Sequence, residues 1–114
     1  MFGVPSIAPT PEEHRLHRRY PLRLKVHYKL LHQGMVTQTG SGRTVNISTH
    51  GVLFEADPPL PERGEIVLEM AWPVLLDGVR RLKFVVHGRI VRNDGKTTAV
   101  RVASFDFHIK RSSK

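Results

Sequence analysis

The stretch LRLKVHYKL, residues Leu22–Leu30, decides the fold class. Apolar or aromatic residues occupy every second position, and arginine, lysine or histidine fills each position between them. Successive side chains of a β-strand point to opposite faces, so this alternation is typical of a strand with one buried face. The stretch therefore predicts a half-buried strand.

Further strand patterns follow along the chain, with turn residues between them. Val36–Thr39 begins a second strand that is expected to break at the cluster Gly40-Ser41-Gly42, and Asn93-Asp94-Gly95 predicts a hairpin turn. The other predicted strands are 43–47, 52–56, 65–72, 82–92 and 97–105. Helical periodicity is suggested only in Glu12–Arg19.

Strands at such short spacing favour an all-β fold. A small antiparallel six-stranded β-barrel is expected, because a sandwich of this size would leave more strand edges to protect. The predicted organisation is a flexible tail at 1–11, which holds three prolines, a barrel at 12–106 that begins with an arginine-bearing loop, and a C-terminal tail at 107–114.

Composition narrows the class of protein. The chain has 114 residues, enough for one small domain, and no cysteine, which excludes disulfides and thiolate metal sites. No apolar run approaches the roughly 20 residues of a membrane-spanning helix, and the N-terminus lacks the pattern of a secretion signal. We therefore expect a cytoplasmic protein that is not inserted in a membrane.

The net charge of +8 is unevenly distributed. Residues 1–43 carry +5, residues 44–79 carry −5, and residues 80–114 carry +8. Clustered positive charge favours an anionic partner, although a basic surface without a partner remains an alternative.

Two short motifs carry the chemistry. Arg19-Tyr20-Pro21-Leu22-Arg23 has the pattern RxxxR and follows directly on Arg18. The planar guanidinium donates paired hydrogen bonds to phosphate or to a guanine edge and stacks on purines. Pro21 disfavours a helix, so the two arginines of the pattern should reach a ligand from different directions. An isolated RxxxR pattern is more often a pair of solvated charges at the start of a strand.

The second motif, Asn46-Ile47-Ser48-Thr49-His50-Gly51, has the pattern NxSxxG. Asn46 and Ser48 share strand parity and should emerge on one face, and Gly51 permits a positive φ or a close approach to the backbone. A carboxamide and a hydroxyl beside open backbone groups can bind a guanine edge. The alternative is a turn that uses these residues for local backbone reasons.

Together the two motifs resemble the signature of the PilZ domain, the bacterial receptor module for cyclic di-GMP, over roughly residues 15–105. The resemblance implies a β-barrel that binds cyclic di-GMP on its outer wall. It implies that Arg19 and Arg23 anchor the ligand, and that Asn46, Ser48 and Gly51 recognise the base. Arg18 resembles the arginine that accompanies an intercalated ligand dimer in this family, and Arg92 occupies the position of a residue that sometimes joins the site.

The function that the resemblance implies is that of a receptor, with no catalysis, cofactor or metal. The loop 12–22 would order on the ligand and relay the signal to an unidentified protein partner in motility, secretion or polysaccharide machinery. The C-terminal helix common in the family should be short or absent, since few residues follow Phe105. Alternatives are a ligand-independent PilZ adaptor and a basic nucleic-acid-binding barrel, although no specific nucleic acid is expected, because the aromatic residues fall within the apolar alternation.

Overall fold

The structure, a computed structural model, describes residues 20–56, 60–73 and 75–109. Its regular elements are six β-strands, which we number in chain order. They are β1 (Lys25–His32), β2 (Met35–Ile47), β3 (Gly51–Ala56), β4 (Gly64–Ala71), β5 (Leu82–Asn93) and β6 (Thr97–Ile109).

The strands form a closed antiparallel barrel in the order β1-β2-β3-β6-β5-β4, with β4 pairing back to β1. The predicted all-β, six-stranded barrel is thereby confirmed. The alternation of Leu22–Leu30 sends Val26, Tyr28 and Leu30 into the core, where they pack with residues from the other strands. The predicted turn at Asn93-Asp94-Gly95 is present, with Gly95 at a φ of 91°.

The second strand is longer than the sequence pattern indicated. The glycine cluster at 40–42 was expected to break it, but β2 runs through these residues without interruption. A Cβ on Gly40 would collide with the ring of buried Tyr28, and a Cβ on Gly42 would collide with the carbonyl of Glu55. These glycines therefore permit close approach of neighbouring groups inside the sheet, which a sequence pattern cannot distinguish from a turn.

The segment 20–24 is irregular but firmly held on β2. Tyr20 and Ile47 form an isolated antiparallel bridge. The hydroxyl of Thr44, which is fully buried, donates to the carbonyl of Leu22 and accepts from the amide of Leu24 at 2.7 Å. β2 therefore fixes the second half of the RxxxR motif.

The last strand also continues beyond its predicted end. The sequence pattern predicted a strand end at Phe105 and a tail from residue 107, whereas β6 continues to Ile109 and pairs with β5 up to that residue. No helix occurs in the three described ranges. The expected tail at 1–11, the pattern at Glu12–Arg19 and residues 110–114 lie outside them.

Candidate functional site

A β-bulge directs Asn46 to the outside of the barrel. In the pairing of β2 with β3, Thr44 lies opposite buried Phe54, whereas Asn46 lies opposite partly exposed Leu53. The register shift between them leaves Val45 as the extra residue. Without the bulge, the alternation of side chains along the strand would direct Asn46 inward like Thr44. The bulge therefore places the carboxamide on the outer wall.

Asn46 is half-buried, and none of the side-chain hydrogen bonds between described residues involves its carboxamide. Its carbonyl and NH₂ groups can therefore both pair with a ligand. A carboxamide can bind a purine edge through one donor and one acceptor at once.

Ser48 holds the turn between β2 and β3. Its Oγ accepts hydrogen bonds from the amides of His50 at 3.2 Å and Gly51 at 3.0 Å. Its amide donates to the carbonyl of Gly51 at 2.8 Å, and its hydroxyl is 3.3 Å from the same oxygen. The hydroxyl thus accepts two hydrogen bonds within the turn and donates a longer one to the Gly51 carbonyl, as the local-backbone interpretation expects, so a ligand can use its hydrogen only by replacing that last contact.

Gly51 lies opposite Arg101 in the pairing of β3 with β6. It does not adopt the positive φ that the sequence analysis allowed for, since the positive-φ glycines of the described chain lie elsewhere. A Cβ at this position would come within 3.2 Å of the carbonyl of Val100. Glycine here therefore relieves crowding and leaves the backbone uncovered beside the Arg101 side chain.

Four of the sequence-predicted site residues line one surface depression of about 520 Å³ on the outer wall. They are Asn46, Ser48, Gly51 and Arg92. The depression also includes residues that sequence reasoning missed, namely His50, Val52, Leu53, Val91, Ala99, Val100 and Arg101. Of these, Arg101 matters most chemically, because it adds a second guanidinium that forms no ion pair with another described residue.

A second bulge sets the direction of the Arg92 side chain. Between Ile90 and Arg92 the pairing of β5 with β6 shifts by one residue, which leaves Val91 as the extra residue. The Arg92 side chain is exposed and lies 3.7 Å from the Asp94 carboxylate. An exposed pair at this distance contributes little and can exchange for a phosphate.

Arg23 lies in a neighbouring depression of about 600 Å³. It shares this space with Lys25, Arg43 and Lys96, and its guanidinium is 3.5 Å from the Glu55 carboxylate. Leu53 and Glu55 both face outward from β3, so the two depressions follow one another along the same strand. Arg18 and Arg19 lie outside the described residues.

Other kinds of site find less support in this part of the molecule. In the described residues, no group of three or more histidine, aspartate or glutamate side chains is placed to hold a metal ion. The same residues contain no helix that is long and apolar enough to cross a membrane.

The family model described as PilZ domain matches residues 13–112. Because this match covers nearly the whole chain, the protein belongs to the PilZ domain family. PilZ domains are, in general, binding domains that act as receptors for cyclic di-GMP. Comparison with the curated proteins found no match. Comparison with the solved structures likewise found none.

Proposed function

We propose that this protein is a cyclic di-GMP receptor whose ligand site lies on the outer wall of the barrel, where the RxxxR and NxSxxG motifs meet. The observation that carries the proposal is the bridge between Tyr20 and Ile47. Tyr20 is the second residue of the first motif, and Ile47 is the second residue of the other. Two motifs separated by 22 residues in sequence are thereby held side by side.

Each residue has a separate task in this proposal. Arg19 and Arg23 bind phosphate and guanine, and Asn46 pairs with a guanine edge through its free carboxamide. Ser48 acts chiefly by holding the turn that exposes the backbone of Gly51. Arg92 supplies further positive charge on the opposite side of the depression.

The proposed mechanism is ordering of the arginine-bearing loop. The loop 12–22 closes over the ligand through its part before Tyr20, since Tyr20 is already bonded to Ile47. Closure is favoured because bound phosphates neutralise arginines that otherwise repel one another. Arg18 contacts the second molecule of an intercalated ligand dimer. The altered surface then binds a protein partner, in line with the role of a receptor without catalysis.

Titration calorimetry with cyclic di-GMP tests the proposal. The wild type is expected to bind two ligands per domain, Arg19→Ala to lose at least about tenfold in affinity, and Arg18→Ala to bind a single ligand. Lys29→Ala is the matched control, since it removes one positive charge from the far side of β1, where Lys29 pairs with Glu69. Absence of binding by the wild type would overturn the receptor proposal and favour the ligand-independent adaptor.

A further inference from the structure

One end of the barrel leaves core-facing side chains uncovered. On β6, Phe105, Phe107 and Ile109 lie opposite Val86, Phe84 and Leu82 of β5, and Val86 and Phe84 belong to the hydrophobic core. Side chains directly opposite on paired strands share a face, so all three β6 residues point to the inner side of the sheet. They are nevertheless 42%, 46% and 50% exposed.

Two of these side chains, Phe105 and Phe107, line an apolar groove of about 430 Å³. The rings of Phe84 and Phe107 stack with their centroids 4.7 Å apart, and Trp72 lies 5.3 Å from Phe107. The opposite wall of the groove is formed by the segment around Tyr20 and Leu22. A groove with such an aromatic lining is typical of a contact surface.

The same part of β6 has a free backbone edge. Pairing with β3 ends at Arg101, and the amide of Val102 donates to the carbonyl of His50 at 2.9 Å. From Ala103 to Ile109, no strand of the described ranges pairs with this edge. The segment reads ASFDFHI and contains none of the lysines or prolines that commonly protect an edge strand.

We propose that this edge pairs with the same edge of a second copy of the chain, antiparallel and centred on Phe107. This register places Phe107 opposite its own counterpart and Phe105 opposite Ile109 of the other copy. The two apolar rows then lie on the same side of a continuous sheet, since opposite residues of an antiparallel pair share a face.

The charge distribution supports both a second copy of the chain as the partner and the proposed register. Residues 80–114 carry a net charge of +8, but the segment 103–109 contains no lysine or arginine and one aspartate, so two copies can meet here without repulsion between basic side chains. Centring on Phe107 places Asp106 opposite His108 of the other copy. Centring on Asp106 would instead place two aspartates opposite each other, which is unfavourable.

Sedimentation velocity of the full chain over a range of concentrations tests the association. The wild type is expected to form a dimer. Phe107→Asp should raise the dimer dissociation constant by about tenfold or more, because it removes two buried rings and places two carboxylates directly opposite each other. Val36→Asp, an equally non-conservative change at an exposed position of β2, should leave it unchanged. A wild type that stays monomeric at every concentration overturns the proposal and assigns the groove to another occupant.

Disulfide trapping tests the register, and the absence of native cysteine makes every introduced thiol unambiguous. Phe107→Cys should cross-link to itself on mild oxidation, because directly opposite Cα atoms lie about 4.5–5.5 Å apart. Phe105→Cys should cross-link to Ile109→Cys in a mixture but not to itself. Val36→Cys is the control that should remain uncross-linked. Cross-linking of Phe105→Cys to Phe107→Cys, with none at Phe107 alone, would overturn the proposed register.

Discussion

The backbones of Tyr20 and Ile47 exchange two hydrogen bonds, from the Tyr20 amide to the Ile47 carbonyl at 2.8 Å and from the Ile47 amide to the Tyr20 carbonyl at 2.9 Å. This reciprocal pair joins the second residue of one sequence motif to the second residue of the other. It means that the arginine-bearing segment cannot leave the NxSxxG turn without breaking two backbone hydrogen bonds. Ligand binding by one motif should therefore depend on the backbone bridge that holds the two motifs together.

Thr44→Val should weaken this attachment. The substitution preserves the side-chain shape but removes the hydroxyl that bonds the backbone on both sides of Arg23. We expect the free energy of unfolding to fall by about 1–3 kcal/mol, because the Leu24 amide and Leu22 carbonyl lose a partner. Urea denaturation measures the change. Thr39→Val, at an exposed position of the same strand, should change stability far less, and equal losses in both variants would contradict the assigned role.

Asn46→Ala should reduce affinity without reducing stability. No side-chain hydrogen bond between described residues involves this carboxamide, so its loss costs the fold little, whereas a bound guanine edge loses a donor and an acceptor. We expect at least about a tenfold weaker affinity for cyclic di-GMP by calorimetry and an unchanged thermal midpoint. An unchanged affinity would remove Asn46 from the site.

Arg101→Gln should also weaken ligand binding, even though neither sequence motif contains this residue. Arg101 lines the depression beside Gly51, and its loss removes positive charge that would face the phosphates. Arg89→Gln is the matched control, because Arg89 lies directly opposite Arg101 on β5 but does not line the depression. Equal effects of the two substitutions would indicate a general dependence on net charge, without a local contact.

Glu55→Gln should strengthen binding. The Glu55 carboxylate lies 3.5 Å from the Arg23 guanidinium and would repel a phosphate that approaches this guanidinium. Both side chains are largely exposed, so the effect is modest, about two- to fivefold in affinity at low salt and less at high salt. Calorimetry at two salt concentrations measures it. Weaker binding by the variant would show that Glu55 contributes a contact of its own.

Gly42→Ala should destabilise the barrel, because the new Cβ would collide with the Glu55 carbonyl on the paired strand. Backbone shifts of this kind cost about 1–3 kcal/mol. Ser41→Ala, at the exposed position directly before Gly42, should cost much less. Chemical denaturation of the two variants measures the difference, and a nearly neutral Gly42→Ala would contradict the predicted collision with Glu55.

The sequence was sufficient for the features that depend on local pattern. Alternation in Leu22–Leu30 predicted which side of β1 is buried, and Asn93-Asp94-Gly95 predicted a hairpin. Features that depend on strand pairing could not be predicted from the sequence. The outward direction of Asn46 requires the bulge at Val45, and the position of Arg101 beside Gly51 requires the β3–β6 register. Simple parity grouped Asn46 with Ser48 but could not reveal that the Ser48 hydroxyl serves the turn.

The most direct test of the central claim, that the two motifs form one ligand site on the outer wall, is a titration of isotopically labelled protein with cyclic di-GMP followed by amide chemical shifts. We predict that the largest shift changes occur together at Arg23, Asn46, Gly51 and Arg101. We also predict small changes at Phe105 and Phe107, whose side chains face the inner side of the sheet. Shift changes confined to Phe105 and Phe107 would contradict a single site built from both motifs. Shift changes that reach saturation at Asn46 and Gly51 without any change at Arg23 would contradict it as well.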